Sequence, residues 1–343
     1  MSASFSPEQS VVVVIGSGAG GGVLANALAQ RGIDVVCLEA GRRLDMSEIV
    51  NDEAAMFGKF TWLDPRESSG QTIPGFPAWT CKTVGGTTLH WTASCPRMQA
   101  HEFKARSTYG AIADTTLEDW PLAFDDIAPY YSAAEQLMGV TGTHGIERLP
   151  GNNNYKVLEA GARKVGYRQI DTNNVAINPT PRDGRGACLQ TGFCTSGCVV
   201  QAKWSTLYTE IPRAEQTGHF ELRPECMVTR IGHDDSGRAN EVHYIDAGGT
   251  PQKQKASAVC VAGNAIETAR LRSCAAYNCD PPGLSCWRVR WGICRCWSSA
   301  AGVRSQWHCL PRKRHWLSAS AAYRRRRCSA PHWHDRCHRG LSG

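Results

Sequence analysis

The hydrophobic pattern of the chain opens with an uninterrupted apolar run from Val11 to Ile15. Such a β-branched run without polar alternation is typical of a strand that is buried on both faces of a parallel sheet. An Ala-rich apolar segment over residues 23–30 predicts a helix, and the run from Val35 to Leu38 predicts the next strand. Residues 10–41 therefore predict a βαβ unit, and the fold class is expected to be α/β and Rossmann-like.

Three glycines, Gly16, Gly18 and Gly21, form a G-x-G-x-x-G pattern between the first strand and the helix. In this pattern the first glycine permits a tight turn, the second lets the backbone approach a pyrophosphate, and the third lets helix and strand pack closely. Glu39 ends the second strand, where a carboxylate commonly accepts a hydrogen bond from a ribose hydroxyl. This order predicts a dinucleotide site, and an acid at this position argues against a 2′-phosphate. The alternative is a tight turn that binds no ligand.

The rest of the body predicts further elements separated by turn residues. Residues 42–80 are rich in glycine and proline and predict loops. Asp125 is expected to cap the N-terminus of a helix that runs to residue 137. The other predicted elements are a helix over residues 152–166, strands over 221–231, 241–245 and 258–262, and a helix that begins at residue 265.

Residues 272–343 differ in composition from the rest of the chain. They hold 14 of the 38 Lys and Arg residues but 2 of the 31 Asp and Glu residues, with 8 of the 16 cysteines and 6 of the 11 tryptophans. Four interpretations are open: a basic arm that binds nucleic acid, a zinc module, a disulfide-bonded domain, and an out-of-frame translation. The basic residues form no ordered patch, and the Cys and His spacings form no recognisable zinc set. The composition therefore favours an aberrant, out-of-frame tail, and no nucleic-acid partner is expected.

Several motifs, in their order along the chain, resemble the glucose-methanol-choline (GMC) oxidoreductases, which are FAD-dependent dehydrogenases and oxidases. The resemblance covers about residues 10–271 and extends to the sugar and gluconate dehydrogenase branch. The segments that carry it are GSGAGGG at 16–22, LEAG at 38–41, GGTTLHWTASCPR at 85–97, GACLQTGFCTSGC at 186–198 and VAGNAIETARL at 261–271.

The resemblance implies a discontinuous FAD-binding domain over residues 10–98 and 204–271. Residues 99–203 would form an incomplete substrate or cap region with a Cys-rich loop. Val228 would contact the adenine through its backbone, or serve only as a core residue. The residues implied to bind FAD are Gly16, Gly18, Gly21, Glu39, Gly85, Gly86, Thr87, His90, Trp91, Val228, Ala262 and Gly263.

Two features of this resemblance concern bound groups. In several family members a histidine placed like His90, before a tryptophan, is bonded to the flavin 8α-methyl group; the alternative is a histidine that only packs near the flavin. Cys188, Cys194 and Cys198 match a three-cysteine motif that holds an iron–sulfur cluster in the sugar dehydrogenase branch. Thiolates are the soft ligands that such clusters need. Structural cysteines and a zinc site with an outside ligand remain open alternatives.

The resemblance also implies a mechanism and partners. An alcohol carbon of a sugar, polyol or sugar acid would give a hydride to flavin N5, while a C-terminal histidine takes the hydroxyl proton. No segment of this sequence matches that C-terminal motif, so the catalytic base is expected to be absent. Expected partners are a cytochrome c and a small chaperone-like subunit. The alternatives are a nicotinamide-dependent dehydrogenase and a non-catalytic protein that binds a flavin or a cluster.

The sequence carries no recognisable targeting or membrane signal. The N-terminus lacks the basic and apolar regions of a secretory signal, and no apolar run has the length of a membrane-spanning helix. A cytoplasmic location is expected from the sequence itself, and a periplasmic one if an exported partner carries the chain.

Overall fold

The computed structural model describes residues 3–62 and 80–276 of the chain, with side chains described as far as Leu271. Within them, six strands form one mixed sheet: β1 (Val11–Ile15), β2 (Val35–Leu38), β5 (Phe220–Arg223), β6 (Met227–His233), β7 (Ala239–Ile245) and β8 (Pro251–Val261). Their order in the sheet is β5-β2-β1-β8-β7-β6. The strands β3 (Thr61–Trp62) and β4 (Thr80–Cys81) form a separate antiparallel pair.

The sheet is parallel where the glycine motif joins it. β1 lies between β2 and β8 and is parallel to both, while β2 is parallel to β5. β7 pairs antiparallel with β6 and β8. Because the chain leaves β1 for β2 on one side and β8 pairs on the other, the carboxyl ends of these strands form a topological switch point.

Both faces of the parallel strands are covered, as their apolar sequence predicts. Val14 and Val35 belong to one apolar cluster, which includes residues of the helices α1 (Ala19–Ala29) and α6 (Glu210–Glu215). Val13 and Val36 belong to a second cluster on the opposite face, which includes residues of β6 and β7. The alternation follows from the two-residue period of a strand and confirms a Rossmann-like core.

The helices are assigned as follows within the described residues. They are α1 (Ala19–Ala29), α2 (Glu53–Phe60), α3 (Ala105–Tyr109), α4 (Phe124–Met138), α5 (Asn153–Lys164), α6 (Glu210–Glu215) and α7 (Asn264–Ala276). None of the helices in this part of the protein is both long enough and apolar enough to cross a membrane.

Several predicted elements differ from the structure. Residues 42–80 contain α2, which is capped by Asp52 through a hydrogen bond of 2.9 Å from the Ala55 amide. Asp125 lies inside α4, and the helix begins after Ala123, whose amide donates to Asp126 at 2.8 Å. The prediction that Asp125 caps this helix is therefore wrong.

The predicted strand over residues 221–231 is two strands in the structure. Between β5 and β6 the backbone of Glu225 adopts φ 55°, and the Glu225 and Cys226 amides donate to the carbonyls of Gly41 and Glu39 at 2.9 and 2.8 Å. This bend carries the chain from a parallel edge to an antiparallel hairpin. β8 begins at Pro251 rather than at residue 258. The prediction missed its first half because residues 252–255 are polar and form no apolar run, although they pair with β7.

The aberrant tail predicted over residues 272–343 lies outside the described residues, apart from the last turn of α7.

Candidate functional site

Two glycines, one in the turn that follows β1 and one in the first turn of α1, tolerate no side chain. Gly16 adopts φ +95°, and a Cβ atom there would lie 2.6 Å from the carbonyl oxygen of Ala262. A Cβ atom on Gly21 would lie 1.9 Å from the carbonyl oxygen of Gly16. Both distances are shorter than real Cβ contacts, so the close packing of β1, α1 and the end of β8 depends on these glycines.

Gly18 and Gly86 pack backbone against backbone, since a Cβ atom on Gly86 would lie 3.1 Å from Gly18 Cα. A Cβ atom on Gly18 would have Gly86 Cα as its nearest neighbour, at 3.9 Å, and Gly86 adopts φ +52°. Gly18 is the N-cap of α1, where no side chain caps the helix and no acidic residue occupies the first turn. The free amides at the start of α1 and the two missing side chains form a cradle that suits an anionic group.

Glu39 is a buried carboxylate at the carboxyl end of β2, with 6% of its surface exposed. Oε2 accepts hydrogen bonds from the Ser17 amide at 3.0 Å and from Ser17 Oγ at 2.7 Å, while Oε1 accepts one from the Gly41 amide at 2.9 Å. Burial raises the pKa of Glu39, and the hydrogen bonds from Ser17 and Gly41 oppose that shift.

Ser17 connects three segments of the site, a role that the sequence analysis missed. Besides its bonds to Glu39, its Oγ accepts a hydrogen bond from the Gly85 amide at 3.0 Å, and its carbonyl accepts one from Thr206 Oγ1 at 2.8 Å. Thr88 and Ser205 hydroxyls lie 2.8 Å apart beside this network. The sequence does hold a signal for this role: a serine lies between the first two glycines of the motif, where a large side chain would not fit.

A cavity of about 250 Å³ opens at the carboxyl ends of β1, β2 and β8. Open α/β sheets usually bind their ligands at this position. Its lining includes Gly16, Gly18, Glu39, Gly86, Thr87, Val228, Ala262 and Gly263 from the predicted FAD-binding set.

Other residues of the cavity lining were not predicted. Cys81, Lys82 and Cys226 reach it, as does Asn264. Asn264 adopts φ +69° and its Oδ1 accepts hydrogen bonds from the amides of residues 266 and 267 at 2.8 and 3.0 Å, which caps α7. An Asn followed three residues later by Glu267 is a recognisable helix start.

The remaining predicted FAD-binding residues do not line this cavity. Gly21 packs behind it, and Gly85 adopts φ +94° close to Leu207. The His90 ring is buried and lies parallel to the Phe60 ring, with 6.1 Å between centroids. Trp91 Nε1 donates to the carbonyl of Trp204 at 3.1 Å. His90 and Trp91 therefore do not reach the cavity, although their amides donate to the carbonyl of Thr87, which lines it.

The three predicted metal-binding cysteines, Cys188, Cys194 and Cys198, are free thiols that pack against one apolar cluster with Trp204. Burial raises the pKa of the Cys194 thiol, and the positive charge of Lys203 opposes that shift. Among the residues that the structure describes, no group of three or more His, Cys, Asp or Glu side chains is arranged to hold a metal ion. The donor type suits iron, but the described arrangement is not a closed metal site.

A model of the GMC oxidoreductase family matches residues 69–274, more than half of the chain. This chain belongs to the GMC oxidoreductase family. A model of an NAD(P)-binding Rossmann-like domain matches residues 14–58, which contain the glycine turn and Glu39. The predicted family and fold class are therefore confirmed, and other members of this family are FAD-dependent oxidoreductases.

Two relatives illustrate this membership. The fructose dehydrogenase large subunit of Gluconobacter japonicus is 28% identical over 309 residues, which cover 80% of this chain and 56% of the relative. The 6'''-hydroxyparomomycin C oxidase of Streptomyces lividus is 31% identical over 307 residues, covering 82% and 54%. The chain thus spans about half the length of these curated GMC relatives.

A solved structure shows the same fold. The crystal structure of pyridoxine 4-oxidase from Mesorbium loti matches with a TM-score of 0.54 and 16% identity, covering 78% of this chain and 52% of that one.

Proposed function

We propose that this protein is an FAD-dependent oxidoreductase that takes a hydride from a CH–OH group of a sugar, polyol or sugar acid. The observation that carries the proposal is the cavity at the ends of β1, β2 and β8, where two side-chain-free glycines and a buried carboxylate meet. The substrate class is suggested by relatives that are named for fructose and for gluconate.

The chain's own residues suit the parts of FAD. The free amides at the start of α1 would hold the diphosphate, since Gly18 and the adjacent Gly86 place no side chain beside them. Glu39 would accept a hydrogen bond from a ribose hydroxyl, and the backbone of Val228 would lie beside the adenine. Bound FAD would supply the hydride acceptor at N5.

His90 is proposed as the residue that bonds covalently to the flavin. Support comes from its burial, from its backbone hydrogen bond to the cavity-lining Thr87, and from the His-Trp order that it shares with family members. Denaturation in acid followed by filtration tests the link. Flavin that stays with the polypeptide would support the covalent bond. Complete release of the flavin would show that His90 only packs near it.

Cys188, Cys194 and Cys198 are proposed to hold an iron–sulfur cluster that passes electrons to a cytochrome c partner. The support is the thiol type and their packing against one apolar cluster. A relative named as a large subunit also suggests a second, smaller subunit. Iron and sulfide analysis after anaerobic purification tests the cluster, and a protein without iron would exclude it.

The tail over residues 272–343 is proposed to be an out-of-frame translation that replaces the segment with the catalytic base. Its support is the composition, with 2 acidic and 14 basic residues. Resequencing the coding DNA from codon 260 tests the proposal. A second frame that continues residues 261–271 into a balanced chain with a His-containing end would support it, and an unchanged frame would reject it.

Titration with FAD tests the cofactor, and anaerobic reduction tests the chemistry. We expect the chain to bind FAD, and a frame-corrected protein to bleach the flavin band with a sugar, polyol or sugar acid. Failure of both proteins to bind FAD would overturn the proposal. Binding without reduction by any such substrate in the corrected protein would favour the alternative, a non-catalytic flavin-binding protein.

A further inference from the structure

Lys203 is a buried lysine whose ammonium group lies next to the segment that carries His90. It is 1% exposed, and Nζ donates hydrogen bonds to the carbonyl oxygens of Leu89 at 2.7 Å, Trp91 at 2.9 Å and Cys194 at 2.5 Å. An ammonium group has three donors and no acceptor. Its hydrogen-bonding capacity is therefore filled by backbone carbonyls alone.

Burying this ammonium group costs desolvation free energy, and the packing of the core alone does not explain why a lysine stands here. Lysine is almost never fully buried unless a partner compensates the charge. Within the described residues, the hydrogen-bond partners of Nζ are three backbone carbonyls, and no carboxylate is among its ionisable neighbours. A methionine would fill a similar volume without this cost, so the ammonium group itself is the feature that needs an explanation.

Two of the three accepting carbonyls belong to the residues on either side of His90. One ammonium group thus holds the peptide unit that precedes His90 and the unit that follows Trp91. The His90 backbone between them has φ −111° and ψ 4°. Two further hydrogen bonds hold the turn, from the His90 and Trp91 amides to the Thr87 carbonyl at 3.2 and 3.1 Å. Since the direction of a side chain depends on its backbone dihedral angles, these contacts restrict where the imidazole points.

The backbone of Lys203 is also held in place. Residues 177 and 203 form an antiparallel bridge, and the amides of Asn178 and Trp204 donate to the carbonyls of Ala202 and Ala176 at 2.9 and 2.8 Å. The Trp204 carbonyl accepts the hydrogen bond from Trp91 Nε1 at 3.1 Å. The segment of Lys203 and Trp204 therefore holds the His90 turn from a rigid support.

We propose that Lys203 is a positioning residue that clamps the backbone on both sides of His90 and so sets the direction of the imidazole toward the flavin ring. The part of this inference that concerns the flavin rests on the proposed function above. The third carbonyl, that of Cys194, joins the Cys-rich loop to the same clamp.

The test compares Lys203→Met with Gln254→Met in the full chain. Gln254 is a matched control, because it is also fully buried and its Nε2 also donates to backbone carbonyls, those of Ser6 and Gln9 at 3.1 and 2.8 Å. It does not line the cavity. Both variants lose a buried polar clamp, so a general loss of stability affects both.

Two measurements separate positioning from stability. Hydrogen exchange of a peptide that spans residues 85–95 is expected to accelerate about tenfold or more in Lys203→Met and to stay unchanged in Gln254→Met. The FAD dissociation constant is expected to rise about tenfold or more in Lys203→Met alone, with a changed visible circular dichroism of the bound flavin. If Lys203→Met fails to fold, Lys203→Gln, which keeps two donors, is compared in the same way.

Each outcome decides the inference. Unchanged exchange over residues 85–95 in the Lys203 variant would overturn it, as would faster exchange with unchanged flavin affinity and spectrum. If the unmodified chain binds no FAD, the proposed function fails and the flavin part of the inference fails with it. The exchange comparison then still decides whether Lys203 clamps the turn.

Discussion

At the scale of single residues, the glycines of the turn after β1 divide into those that packing requires and one that a ligand would require. Gly16 has φ +95° and its Cβ would meet the Ala262 carbonyl oxygen at 2.6 Å, whereas a Cβ on Gly18 would make an ordinary contact at 3.9 Å. We therefore expect Gly16→Ala to lower the free energy of unfolding by about 1–3 kcal/mol. Gly18→Ala should fold normally and bind FAD more weakly, because its methyl group enters the cradle.

Denaturant unfolding and FAD titration of both variants check this division. Equal stability of the two variants would contradict the packing argument for Gly16. Unchanged FAD affinity in Gly18→Ala would contradict the placement of the diphosphate at the start of α1, beside Gly18.

Glu39 provides a second test of the cofactor site. Its carboxylate accepts hydrogen bonds from Ser17 and Gly41 and faces the cavity. We expect Glu39→Gln to raise the FAD dissociation constant roughly 10- to 100-fold, since hydrogen bonds to a charged acceptor contribute about 1.5–3 kcal/mol. The control is Glu48→Gln, which removes a carboxylate that pairs with Arg42. Equal affinities of the two variants, measured by flavin fluorescence, would remove Glu39 from the FAD site.

Glu135 makes stability depend on pH on the acid side. Hydrogen bonds from Arg97 lower the pKa of Glu135 below its ordinary value of 4.5. Burial of the carboxyl group opposes this shift, and the hydrogen bond from His144 adds to it. Because the folded-state pKa is depressed, the stabilisation is present above the unfolded-state pKa and is lost as pH falls through the folded-state value.

Comparison of the chain with Glu135→Gln across this range measures the contribution. The free energy of unfolding of the variant is expected to be about 1–3 kcal/mol lower at pH 7, because Arg97 keeps its charge but loses its partner carboxylate. The difference between the two proteins should shrink as pH falls below about 4. A difference that does not depend on pH would show that the lost contact is not ionic.

At the scale of elements, the sequence predicted what depends on apolar runs and missed what depends on pairing. The run over residues 11–15 and the run over residues 35–38 became β1 and β2 as predicted, because strands buried on both faces need continuous apolar residues. The bend at residues 224–226 was missed, since it depends on backbone bonds to the carbonyls of Glu39 and Gly41. Neither partner is visible in the local sequence.

α5 offers a test of helix propensity without interference from packing. None of its residues is buried, and a Cβ atom on Gly161 would meet nothing within 4 Å. Gly161→Ala is therefore expected to raise the free energy of unfolding by roughly 0.5–1 kcal/mol, because alanine loses less backbone entropy than glycine. Thermal unfolding followed by circular dichroism checks it. A lower midpoint would show that α5 contacts something that the described residues do not include.

At the scale of the whole molecule, the candidate site could be predicted as far as it follows from the glycine motif and the order of segments. Gly18, Glu39 and Gly263 come from three different parts of the chain, yet all line one cavity, because parallel strands bring their carboxyl ends together. Lys203 could not be predicted in this way. Its partners flank His90, more than 100 residues earlier in the chain, and no local pattern marks a lysine that folds inward. The predicted division into domains remains a prediction.

The exposed apolar side chains of α5 lead to a final prediction about solubility. Val157 and Leu158 are 75% and 69% exposed, and Val165 just after the helix is 75% exposed. Adjacent exposed apolar residues favour self-association. Leu158→Gln is expected to raise the concentration at which light scattering detects aggregates, with a change in the free energy of unfolding within about 0.5 kcal/mol. Lys156→Gln on the same helix changes charge without removing apolar surface, so it should not improve solubility. If both variants raise that concentration, charge governs the association. If neither raises it, another surface does. In both cases the exposed apolar residues of α5 are not its cause.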